Sequence, residues 1–452
     1  MTNTDTMKSL VALAKRRGFI YQGSDIYQGL AGTYDYGPLG VLLKNNIKNS
    51  WWQTFVVDRE DIFGLDAAIL MNSKVWAASG HVDGFSDPLV EDLKTKKRYR
   101  ADHLLEEAGV KTEGLNLDQM SEAIEENNIT SPDGNQVSSV RQFNMMFETK
   151  VGATGGDVSY LRPETAQGIF VNFKNVIDSF HPKIPFGIGQ IGKAFRNEIT
   201  PRDFLFRVRE FEQMEVEYFV KPDDWEGYFD TWQKDISSWA SSIGIDKDKI
   251  HAREIGPEDR AHYSKKTIDF EFDYPFGRKE LFGLAYRGDY DLSCHSESSG
   301  VSLDYLDQET NTKYTPHVIE PSLGVDRAVL AVLISAYRED VLGDEPRTFL
   351  ALPYLVAPIK VAVFPLLKNK PQLVEKARSI FKTLKSDLSF VMWDDNGNIG
   401  KRYRRQDEIG TPFCVTVDFD TLEDNTVTVR DRDTGKQIRV AIDELLSHIK
   451  QK

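Results

Sequence analysis

The chain has little cysteine and no long apolar run. Its 452 residues include only Cys294 and Cys414, which lie far apart. Two such residues make neither a disulfide framework nor a cysteine-based metal site, and this usage is typical of a reducing compartment. No stretch approaches the roughly 18 apolar residues that a membrane-spanning helix needs. The polar first ten residues lack the apolar segment of a signal peptide. We therefore expect a cytoplasmic protein without a membrane partner.

Motifs of several large enzyme classes are also absent from the sequence. It has no Gly-x-x-x-x-Gly-Lys-Ser/Thr phosphate loop, no His-Glu-x-x-His zinc helix and no Gly-x-Ser-x-Gly elbow. One Gly-x-Gly-x-x-Gly pattern does occur at Gly187–Gly192, but a dinucleotide site needs a helix after it. The residues that follow continue as a strand. We therefore expect small residues in a strand that a ligand or backbone approaches closely.

Acidic charge dominates the chain, but it is unevenly distributed. The net charge is −14, which by itself argues against binding to nucleic acid. From Leu350 to Lys452, however, 17 Lys and Arg stand against 14 Asp and Glu. The C-terminal part is therefore a separate electrostatic unit, and an anionic partner at this end is not excluded.

The first 345 residues have the pattern of an α+β domain with an antiparallel sheet. Long strands that pair mainly as hairpins, with helices grouped around them, are typical of this class. A polar, acidic segment at 105–136 predicts a small helical lobe within a surface insertion at about 88–150. The main predicted elements are helices at 41–55 and 325–338 and strands at 187–196, 208–220, 267–273 and 279–286.

The last hundred residues predict a smaller α/β domain with a mixed sheet, at 350–452. Gly343–Arg347 follows a long helical run and predicts the boundary between the two domains. Strands alternate with helices after that point, as in small α/β domains. The predicted strands are 359–364, 390–393, 413–417 and 426–430, and the predicted helices are 372–384, 399–408 and 441–449.

One segment, 195–215, concentrates arginines, carboxylates and aromatic rings. Two alternating strands flank a polar loop that contains Pro201. Arg196 and Glu198 share one face by the period of two, and so do Arg207 and Phe211. Guanidinium groups suit phosphates, a carboxylate suits an exocyclic amine, and a ring suits base stacking. The segment therefore favours a nucleotide site over a solvated hairpin with cross-strand ion pairs.

The same segment resembles motif 2 of the class II aminoacyl-tRNA synthetases, Phe-Arg-x-Glu, a loop, then Arg-x-x-Glu-Phe. Gly324-Val-Asp-Arg327, at the start of an apolar helix, resembles motif 3. The motif 1 match is weaker, because residues 62–69 lack the proline that normally ends its strand. Several short stretches of the sequence resemble those of the homodimeric glycyl-tRNA synthetases, and this resemblance extends over nearly the whole chain. The stretches are Tyr34–Gly40, Val75–His81, Leu161–Gly168, Phe211–Glu215, Glu280–Gly283, Tyr286–Leu292 and Glu320–Ser322.

The resemblance implies an ATP site. By resemblance, Arg196 holds the α-phosphate, Glu198 the adenine amine and Arg327 the γ-phosphate, and Phe211 stacks on the base. Glu280 and Glu320 are implied as carboxylates for Mg²⁺, and Arg196, Glu320 and Arg327 as catalytic residues. The full implied ATP set is Arg196, Asn197, Glu198, Phe206, Arg207, Val208, Arg209, Glu210, Phe211, Glu280, Leu281, Gly324, Val325, Asp326 and Arg327.

The resemblance also implies a glycine site. Glycine has no side chain to hold, so recognition depends on its ammonium and carboxylate and on denying space to a β-carbon. Glu164, Glu215 and Glu320 are carried over as a carboxylate cage for the ammonium, and Arg287 and Arg100 as groups facing the substrate carboxylate. The full implied set is Arg100, Glu164, Phe211, Glu212, Gln213, Met214, Glu215, Arg287, Glu320, Pro321, Ser322, Leu323 and Gly324.

The implied activity is ATP-dependent attachment of glycine to tRNA(Gly) through glycyl-adenylate, in a homodimer with a C-terminal anticodon-binding domain. Lys401–Arg405 is a basic run for which we expect contact with tRNA, although most charge runs are solvated helix faces. Lys96–Arg100 is a second basic run. No zinc is expected, because the insertion carries no cysteines. His81, His103, His262 and His295 show no ligand spacing and are interpreted as structural or polar-site residues.

Two alternatives remain open from the sequence. A non-catalytic synthetase-like protein would have lost Arg196, Glu320 or Arg327, and all three are present. A synthetase for another amino acid would have a pocket without three converging carboxylates. A class I synthetase is disfavoured, because neither His-Ile-Gly-His nor Lys-Met-Ser-Lys-Ser occurs.

Overall fold

The computed structural model describes residues 3–112, 114–153, 156–257, 260–261 and 263–450, so that His262 lies outside the described residues. None of the helices described has the length and apolar composition of a membrane span. The α-helices are α1 Asn3–Arg16, α2 Pro38–Trp52, α3 Ser73–Ala78, α4 His81–Gly84, α5 Ala101–Glu107, α6 Leu117–Glu126, α7 Ala166–Phe170, α8 Phe173–Phe180, α9 Trp225–Ser242, α10 Tyr290–Ser299, α11 Val325–Ala336, α12 Pro371–Asp387, α13 Ile399–Ile409, α14 Phe419–Asp424 and α15 Leu445–Lys450. The strands are β1 Ile20–Gln22, β2 Tyr34–Tyr36, β3 Ile62–Gly64, β4 Ser86–Glu91, β5 Arg98–Arg100, β6 Arg141–Asn144, β7 Phe147–Val151, β8 Asp157–Leu161, β9 Phe186–Phe195, β10 Glu210–Val220, β11 Ile250–Glu254, β12 Lys266–Tyr274, β13 Gly277–Gly288, β14 Tyr305–Asp307, β15 Thr312–Tyr314, β16 His317–Gly324, β17 Tyr337–Leu342, β18 Glu345–Leu350, β19 Val361–Pro365, β20 Val391–Trp393, β21 Phe413–Val417, β22 Thr426–Asp431 and β23 Gln437–Ala441.

A seven-stranded sheet forms the centre of the larger part of the chain. Its strand order is β11-β12-β13-β16-β10-β9-β3. Every neighbouring pair is antiparallel except β3 and β9, which run parallel. The prediction of an α+β fold built on an antiparallel sheet is therefore confirmed.

The glycine pattern of β9 allows close packing against the strand. A Cβ at Gly187 would lie 2.5 Å from Cδ1 of Ile62, and one at Gly192 would lie 2.2 Å from Nη2 of Arg162. The strand continues to Phe195 without a helix after the last glycine. The pattern therefore serves side chains that approach the strand closely rather than a dinucleotide.

Helix α11 lies in the core and brings two charged residues, Asp326 and Arg327, to the wall of a cavity. Eleven of its twelve residues are buried, and Arg327 is the exception. A helix that is apolar all round is stable only when it is surrounded by protein. The predicted helix 325–338 ends at Ala336, because the chain turns into strand β17 at Tyr337.

The insertion has a small core of its own. Strands β4, β5 and β6 form a three-stranded sheet in the order β5-β4-β6. Helices α5 and α6 cover it, so the predicted helical lobe also contains a sheet. The buried residues of this core are Val90, Ala101, Leu104, Leu105, Met120, Ile124 and Val140.

The C-terminal segment forms a mixed sheet, as predicted, but with five strands instead of the four predicted. Its order is β20-β19-β21-β22-β23, with β19 parallel to both β20 and β21 and the remaining pairs antiparallel. Two short elements were not predicted, α14 and β23. The predicted helix 441–449 is wrong at its start, because Gln437–Ala441 pairs with β22 and the helix begins at Leu445.

The segment predicted as a domain boundary, Gly343–Arg347, forms the turn and second strand of a hairpin. Strands β17 and β18 pair from Tyr337 with Leu350 to Leu342 with Glu345. The guanidinium of Arg347 is 3.5 Å from Asp407 and donates to the carbonyl of Arg432 at 2.6 Å. The hairpin is thus fixed to the C-terminal sheet by a buried arginine.

Candidate active site

A cavity of about 290 Å³ lies beside β10, β13, β16 and the N-terminus of α11. This size is near the lower end of small-molecule sites. The residues predicted for an ATP site that line it are Arg196, Glu198, Phe206, Arg207, Val208, Phe211, Glu280, Leu281, Gly324, Asp326 and Arg327.

Arg196 presents its guanidinium to this cavity between two aromatic rings. The guanidinium lies 5.3 Å from the ring centre of Phe85 and 5.2 Å from that of Phe211. Its Nε donates to the carbonyl of Pro163 at 3.1 Å. Among the described residues, Nη1 and Nη2 have no protein acceptor. The two terminal nitrogens are therefore available to an anionic ligand.

Glu198 and Arg207 form a loose pair on the same wall. Their closest atoms, Oε2 of Glu198 and Nη1 of Arg207, are 3.8 Å apart. Oε2 of Glu198 is buried and has no hydrogen-bond donor among the described residues. Burial, together with neighbouring arginines, lowers the pKa of Arg207 although Glu198 opposes this. The pair therefore has hydrogen-bonding capacity that the protein leaves unused.

Arg327 and Glu280 form an ion pair at the entrance to α11. Nη1 of Arg327 lies 3.0 Å from Oε2 of Glu280 and also donates to its carbonyl oxygen at 3.1 Å. The guanidinium packs 4.5 Å from the ring centre of Phe206. Arg327 lowers the pKa of Glu280 although burial opposes this, so the carboxyl is ionised. An ionised carboxylate at the wall of this cavity provides the hard oxygen ligands that Mg²⁺ prefers.

Four residues of the predicted ATP set do not reach the cavity with their side chains. Arg209 donates to the carbonyls of Ala31 and Glu198, so it holds the motif 2 loop instead. Glu210 pairs with Lys193 on the exposed part of the sheet. Val325 lies in the core, and Asn197 is fixed through its backbone N–H to the carbonyl of Met145.

Behind the inner wall lies the buried carboxylate of Glu215. Gln213 and Ser322, which line the cavity, donate to its Oε1 at 3.0 and 2.5 Å. Thr165 donates to Oε2. Burial and Glu164 raise the pKa of Glu215, while the hydroxyls of Ser322 and Thr165 and the guanidinium of Arg287 act to lower it. This side chain is therefore a buried acid next to the cavity.

Arg287 and Glu320 form the second part of the inner site. Nη1 of Arg287 lies 2.6 Å from Oε2 of Glu320, and its other nitrogens donate to Asp291 at 2.7 and 2.8 Å. Burial raises the pKa of Glu320 to about 8, with Glu215 and Glu164 adding to the effect and Arg287 opposing it. Arg287 is predicted to face the substrate carboxylate. In the structure its guanidinium is 1% exposed and already binds Glu320 and Asp291. Glu320 is likewise directed to Arg287 rather than toward Glu280.

Glu164 completes a group of three predicted carboxylates that the structure brings together. Its Oε1 accepts a hydrogen bond from Gln167 at 2.9 Å, and its Oε2 is 3.4 Å from Nε2 of His81. Burial favours the neutral acid, but His81, Arg287 and Gln167 outweigh it and hold the pKa of Glu164 below its usual range. The neighbouring Glu217 is fully buried with no partner for either oxygen among the described residues, and burial and Glu320 raise its pKa strongly.

Several residues of the predicted glycine set lie outside this group. Arg100 lines the cavity but pairs with Asp87 and Asp102 at 2.6 and 2.5 Å, within the insertion. Glu212 pairs with Lys44 and Lys48, and its backbone N–H donates to Asp326. Met214 and Leu323 point into the core because side chains alternate along a strand, and Pro321 is buried.

Sequence reasoning interpreted His81 and His295 only as structural or polar-site residues, and it assigned no role to the other polar residues that connect the three carboxylates. Gln167 donates to Glu164 and to Asp291 at 3.0 Å, and Nε2 of His295 lies 2.8 Å from its Oε1. Thr165 and His81 also contact the group. A signal was present, because all five lie in or next to the stretches that resemble the synthetases, but their contacts are long-range in sequence.

Most side chains of the basic run Lys401–Arg405, for which we expect contact with tRNA, also bind other groups of the protein. Arg402 is 2% exposed and donates to three backbone carbonyls. Arg405 forms a bidentate pair with Asp394, and Arg404 pairs with Glu345. Lys401 is exposed. In the second run, Lys96 and Arg98 pair with Glu91 and Lys97 pairs with Asp133, but these three side chains are exposed.

Family models match the two sheets separately. Residues 147–337 match the class II core domain of tRNA synthetases (G, H, P, S and T). Residues 360–452 match an anticodon-binding domain. Solved structures with the same fold include prolyl-tRNA synthetase from Giardia lamblia with prolyl-adenylate, at a TM-score of 0.66 and 18% identity, over 98% of this chain and 76% of that one. At such identity the likeness shows the fold alone.

Curated relatives are similar over the full length. Glycine–tRNA ligase from Bacillus anthracis is 50% identical over 457 residues, covering 99% of both chains. The enzyme from Clostridium kluyveri (strain NBRC 12016) is 52% identical over 99% of this chain and 98% of its own. That from Alkaliphilus metalliredigens is 52% identical over 100% and 99%. With this identity over nearly every residue, and the class II core in its centre, the chain belongs to the glycine–tRNA ligase family of class II aminoacyl-tRNA synthetases.

Proposed function

We propose that the chain attaches glycine to tRNA(Gly) in an ATP-dependent reaction through glycyl-adenylate, with release of AMP and pyrophosphate. One observation carries the proposal: a cavity lined by arginines with unused donors adjoins the buried carboxylate of Glu215, which is grouped with those of Glu164 and Glu320. The arginines match a polyphosphate and the carboxylates match an ammonium group.

In the first step, the carboxylate of glycine attacks the α-phosphorus of ATP and pyrophosphate leaves. Negative charge grows on the α-phosphate oxygens, and Arg196 stabilises it with its two terminal nitrogens. Arg327 contacts the γ-phosphate from the first turn of α11, where the helix dipole also favours an anion. Phe211 stacks on the adenine, and Glu198 accepts a hydrogen bond from its amino group.

The three buried carboxylates hold glycine through its ammonium group. Glu164, Glu215 and Glu320 provide acceptors, and Ser322 lies between the cavity and Glu215. Selectivity for glycine would depend on denying space to a β-carbon and not on a weak difference in apolar contact. No side chain acts as a covalent nucleophile; positioning and charge stabilisation provide the catalysis.

Mg²⁺ bound with ATP would neutralise the charge of the phosphates. Glu280 fits as a ligand because it is ionised and lines the cavity. Glu320 fits less well in its present position, since it pairs with Arg287. Among the described residues, no group of three or more potential ligand side chains holds a metal by itself, so phosphate oxygens would supply most of the coordination.

Residues 1–345 would form the catalytic domain, with the insertion at about 88–150, and residues 350–452 the anticodon-binding domain. The separate cores of the insertion and the C-terminal sheet support this division. We further propose a cytoplasmic homodimer whose partners are tRNA(Gly), glycine and ATP.

The proposal is tested by charging purified tRNA(Gly) with labelled glycine, with AMP and pyrophosphate measured in the same reaction. We expect one AMP per glycyl-tRNA and no charging without ATP. A folded protein that binds tRNA(Gly) without charging it would contradict the proposal and favour a non-catalytic synthetase-like protein.

A further inference from the structure

His81 contacts one of the three carboxylates but has no part in the proposed reaction. It begins α4 and is 9% exposed. Its Nε2 lies 3.4 Å from Oε2 of Glu164, while Gln167 donates to Oε1 at 2.9 Å. Each oxygen of Glu164 thus has one fixed neighbour, and the two together set the direction of the carboxylate.

The ring of His81 is itself held in place on its other sides. Its centre lies 5.5 Å from that of Trp76 in an edge-on contact, and 5.4 Å from that of Phe85. Nδ1 lies 2.8 Å from the hydroxyl oxygen of Ser79, which is 3% exposed. The same hydroxyl lies within 3.4 Å of the carbonyl oxygen of Trp76.

Two arrangements of hydrogen atoms satisfy these contacts. In a neutral ring, Ser79 donates to Nδ1 and the ring hydrogen is on Nε2. In an imidazolium, Nδ1 donates to Ser79, whose own hydrogen turns to the carbonyl of Trp76. A hydroxyl can make this change because it is both a donor and an acceptor. In both arrangements Nε2 carries a hydrogen that faces Glu164.

We propose that His81 is a positioning residue for glycine, and that Ser79 keeps the Nε2–H of His81 directed at Glu164 in both charge states of the ring. The inference rests on the proposed function, because it assigns Glu164 to the ammonium of glycine. The order of the three residues differs from that of a hydrolytic triad. Here the carboxylate adjoins the substrate site and the serine is buried at the far end.

Glu164 faces His81 directly. His295 lies beyond Gln167, and its pKa is lowered by burial and by His81 although Asp291 opposes this. Arg287 acts on Glu164 from the opposite side. Loss of the hydrogen on Nε2 would therefore place a lone pair against an ionised carboxylate.

A matched pair of variants separates this role from packing. In His81→Gln the amide nitrogen can occupy the place of Nε2, whereas in His81→Asn it can occupy only that of Nδ1. In glycine-dependent ATP–pyrophosphate exchange, we expect His81→Asn to raise the KM for glycine about tenfold and His81→Gln less than about threefold, with the KM for ATP unchanged in both. Equal effects of the two variants, or no effect of either, would overturn the role of Nε2–H.

The role of Ser79 is tested by substitution. Ser79→Ala removes the group that fixes the hydrogens, so a neutral ring can place its hydrogen on Nδ1. Ser79→Ala should therefore raise the KM for glycine several-fold and leave the KM for ATP unchanged. An unchanged KM for glycine, or an equal rise in both KM values as a packing defect would give, would refute the proposal. If the unmodified chain shows no exchange with glycine, the proposed function fails instead.

Discussion

The arginines of the cavity differ from those of the C-terminal sheet in how much of their hydrogen-bonding capacity the protein uses. Among the described residues, the side chain of Arg196 makes one hydrogen bond, to a backbone carbonyl, and it lines the cavity. Arg430 in β22 forms a bidentate pair with Asp407, and Arg402 in α13 donates to three carbonyls. Both sets come from arginine-rich stretches. The comparison teaches that terminal guanidinium nitrogens without an acceptor at a cavity wall, and not a basic run, indicate where an anion binds. Nε of Arg402 and Nη1 of Arg404 also lack an acceptor among the described residues, but both are buried in the C-terminal part.

Burial explains why the two sets diverge. A guanidinium taken out of water must find acceptors, because an unpaired buried charge is strongly destabilising. Arg402 and Arg430 are 2% and 3% exposed. Arg196 avoids this requirement because it lies at a cavity wall, where aromatic rings support it from both sides. Its positive charge therefore remains available to a ligand.

The largest expected effect follows from removing an available arginine. Arg196→Ala should lower the rate of glycine-dependent ATP–pyrophosphate exchange about 10²- to 10³-fold, because it removes charge stabilisation of the transition state. The melting temperature should stay within about 2 °C, since the side chain makes only one protein hydrogen bond. Exchange within threefold of the unmodified chain would contradict the assignment of Arg196 to the α-phosphate.

Replacing an arginine that is bound within the protein should lower stability and leave activity unchanged. Arg430→Met leaves the fully buried Asp407 with Arg347 alone, at 3.5 Å. We expect the free energy of unfolding to fall by about 3–5 kcal/mol, measured by urea denaturation, while exchange by the folded enzyme is unchanged. The double variant Arg430→Met, Asp407→Leu should recover part of the loss. Unaltered stability in the single variant would show that the cluster does not hold the domain.

Removing one of the three buried carboxylates should have an intermediate effect, on the KM of one substrate only. Glu164→Gln removes the charge but keeps the size of the side chain, so the KM for glycine should rise about tenfold while that for ATP changes little. Glu148→Gln, at an exposed position in β7, is the control. An equal rise in both KM values would place Glu164 outside the glycine site.

The raised pKa of Glu320 predicts a pH dependence. In the empty site this carboxyl, with its pKa of about 8, holds its proton at neutral pH. The ammonium of glycine favours the ionised form, so raising the pH from about 6.5 to about 8.5 should tighten glycine binding several-fold.

Without glycine, a rise in pH has the opposite consequence and lowers the stability of the fold. The folded chain binds this proton more tightly than the unfolded chain, so the contribution of Glu320 to the free energy of unfolding should fall between about pH 4.5 and pH 8. Melting temperatures with and without glycine, at several pH values, test both statements. Weaker protection by glycine at pH 8.5 than at pH 6.5 would contradict them.

The smallest effect concerns the exposed part of the basic run. Lys401→Ala should weaken tRNA binding about two- to threefold at low salt and reduce the slope of log affinity against log salt by less than one unit. Glycine activation without tRNA should not change. A loss of activation would mean that α13 acts on the catalytic domain.

The sequence predicted the elements whose side-chain pattern is decisive. Strands β9, β10 and β13 and helix α11 lie within two residues of their predicted limits at every end, because their apolar patterns are long and regular. Short elements such as α14 and β23 were missed, since few residues give no clear period. The hairpin β17–β18 was missed because Gly343 and Pro346 predict a break, and only the fold shows that the two strands pair.

The candidate site was predictable as a set of residues but not as a network. Resemblance placed Arg196, Arg327 and the three carboxylates in one region, and the structure brings them there. The links through Gln167 and Asp291 join positions more than 120 residues apart. Such contacts depend on tertiary packing, and no local pattern encodes them.

The most direct test of the account is ATP–pyrophosphate exchange with each of the twenty amino acids in turn. A cavity with available arginines next to three carboxylates predicts exchange with glycine and none above background with alanine or serine. Exchange with a different amino acid would keep the ATP site but contradict the assignment of Glu164, Glu215 and Glu320 to glycine.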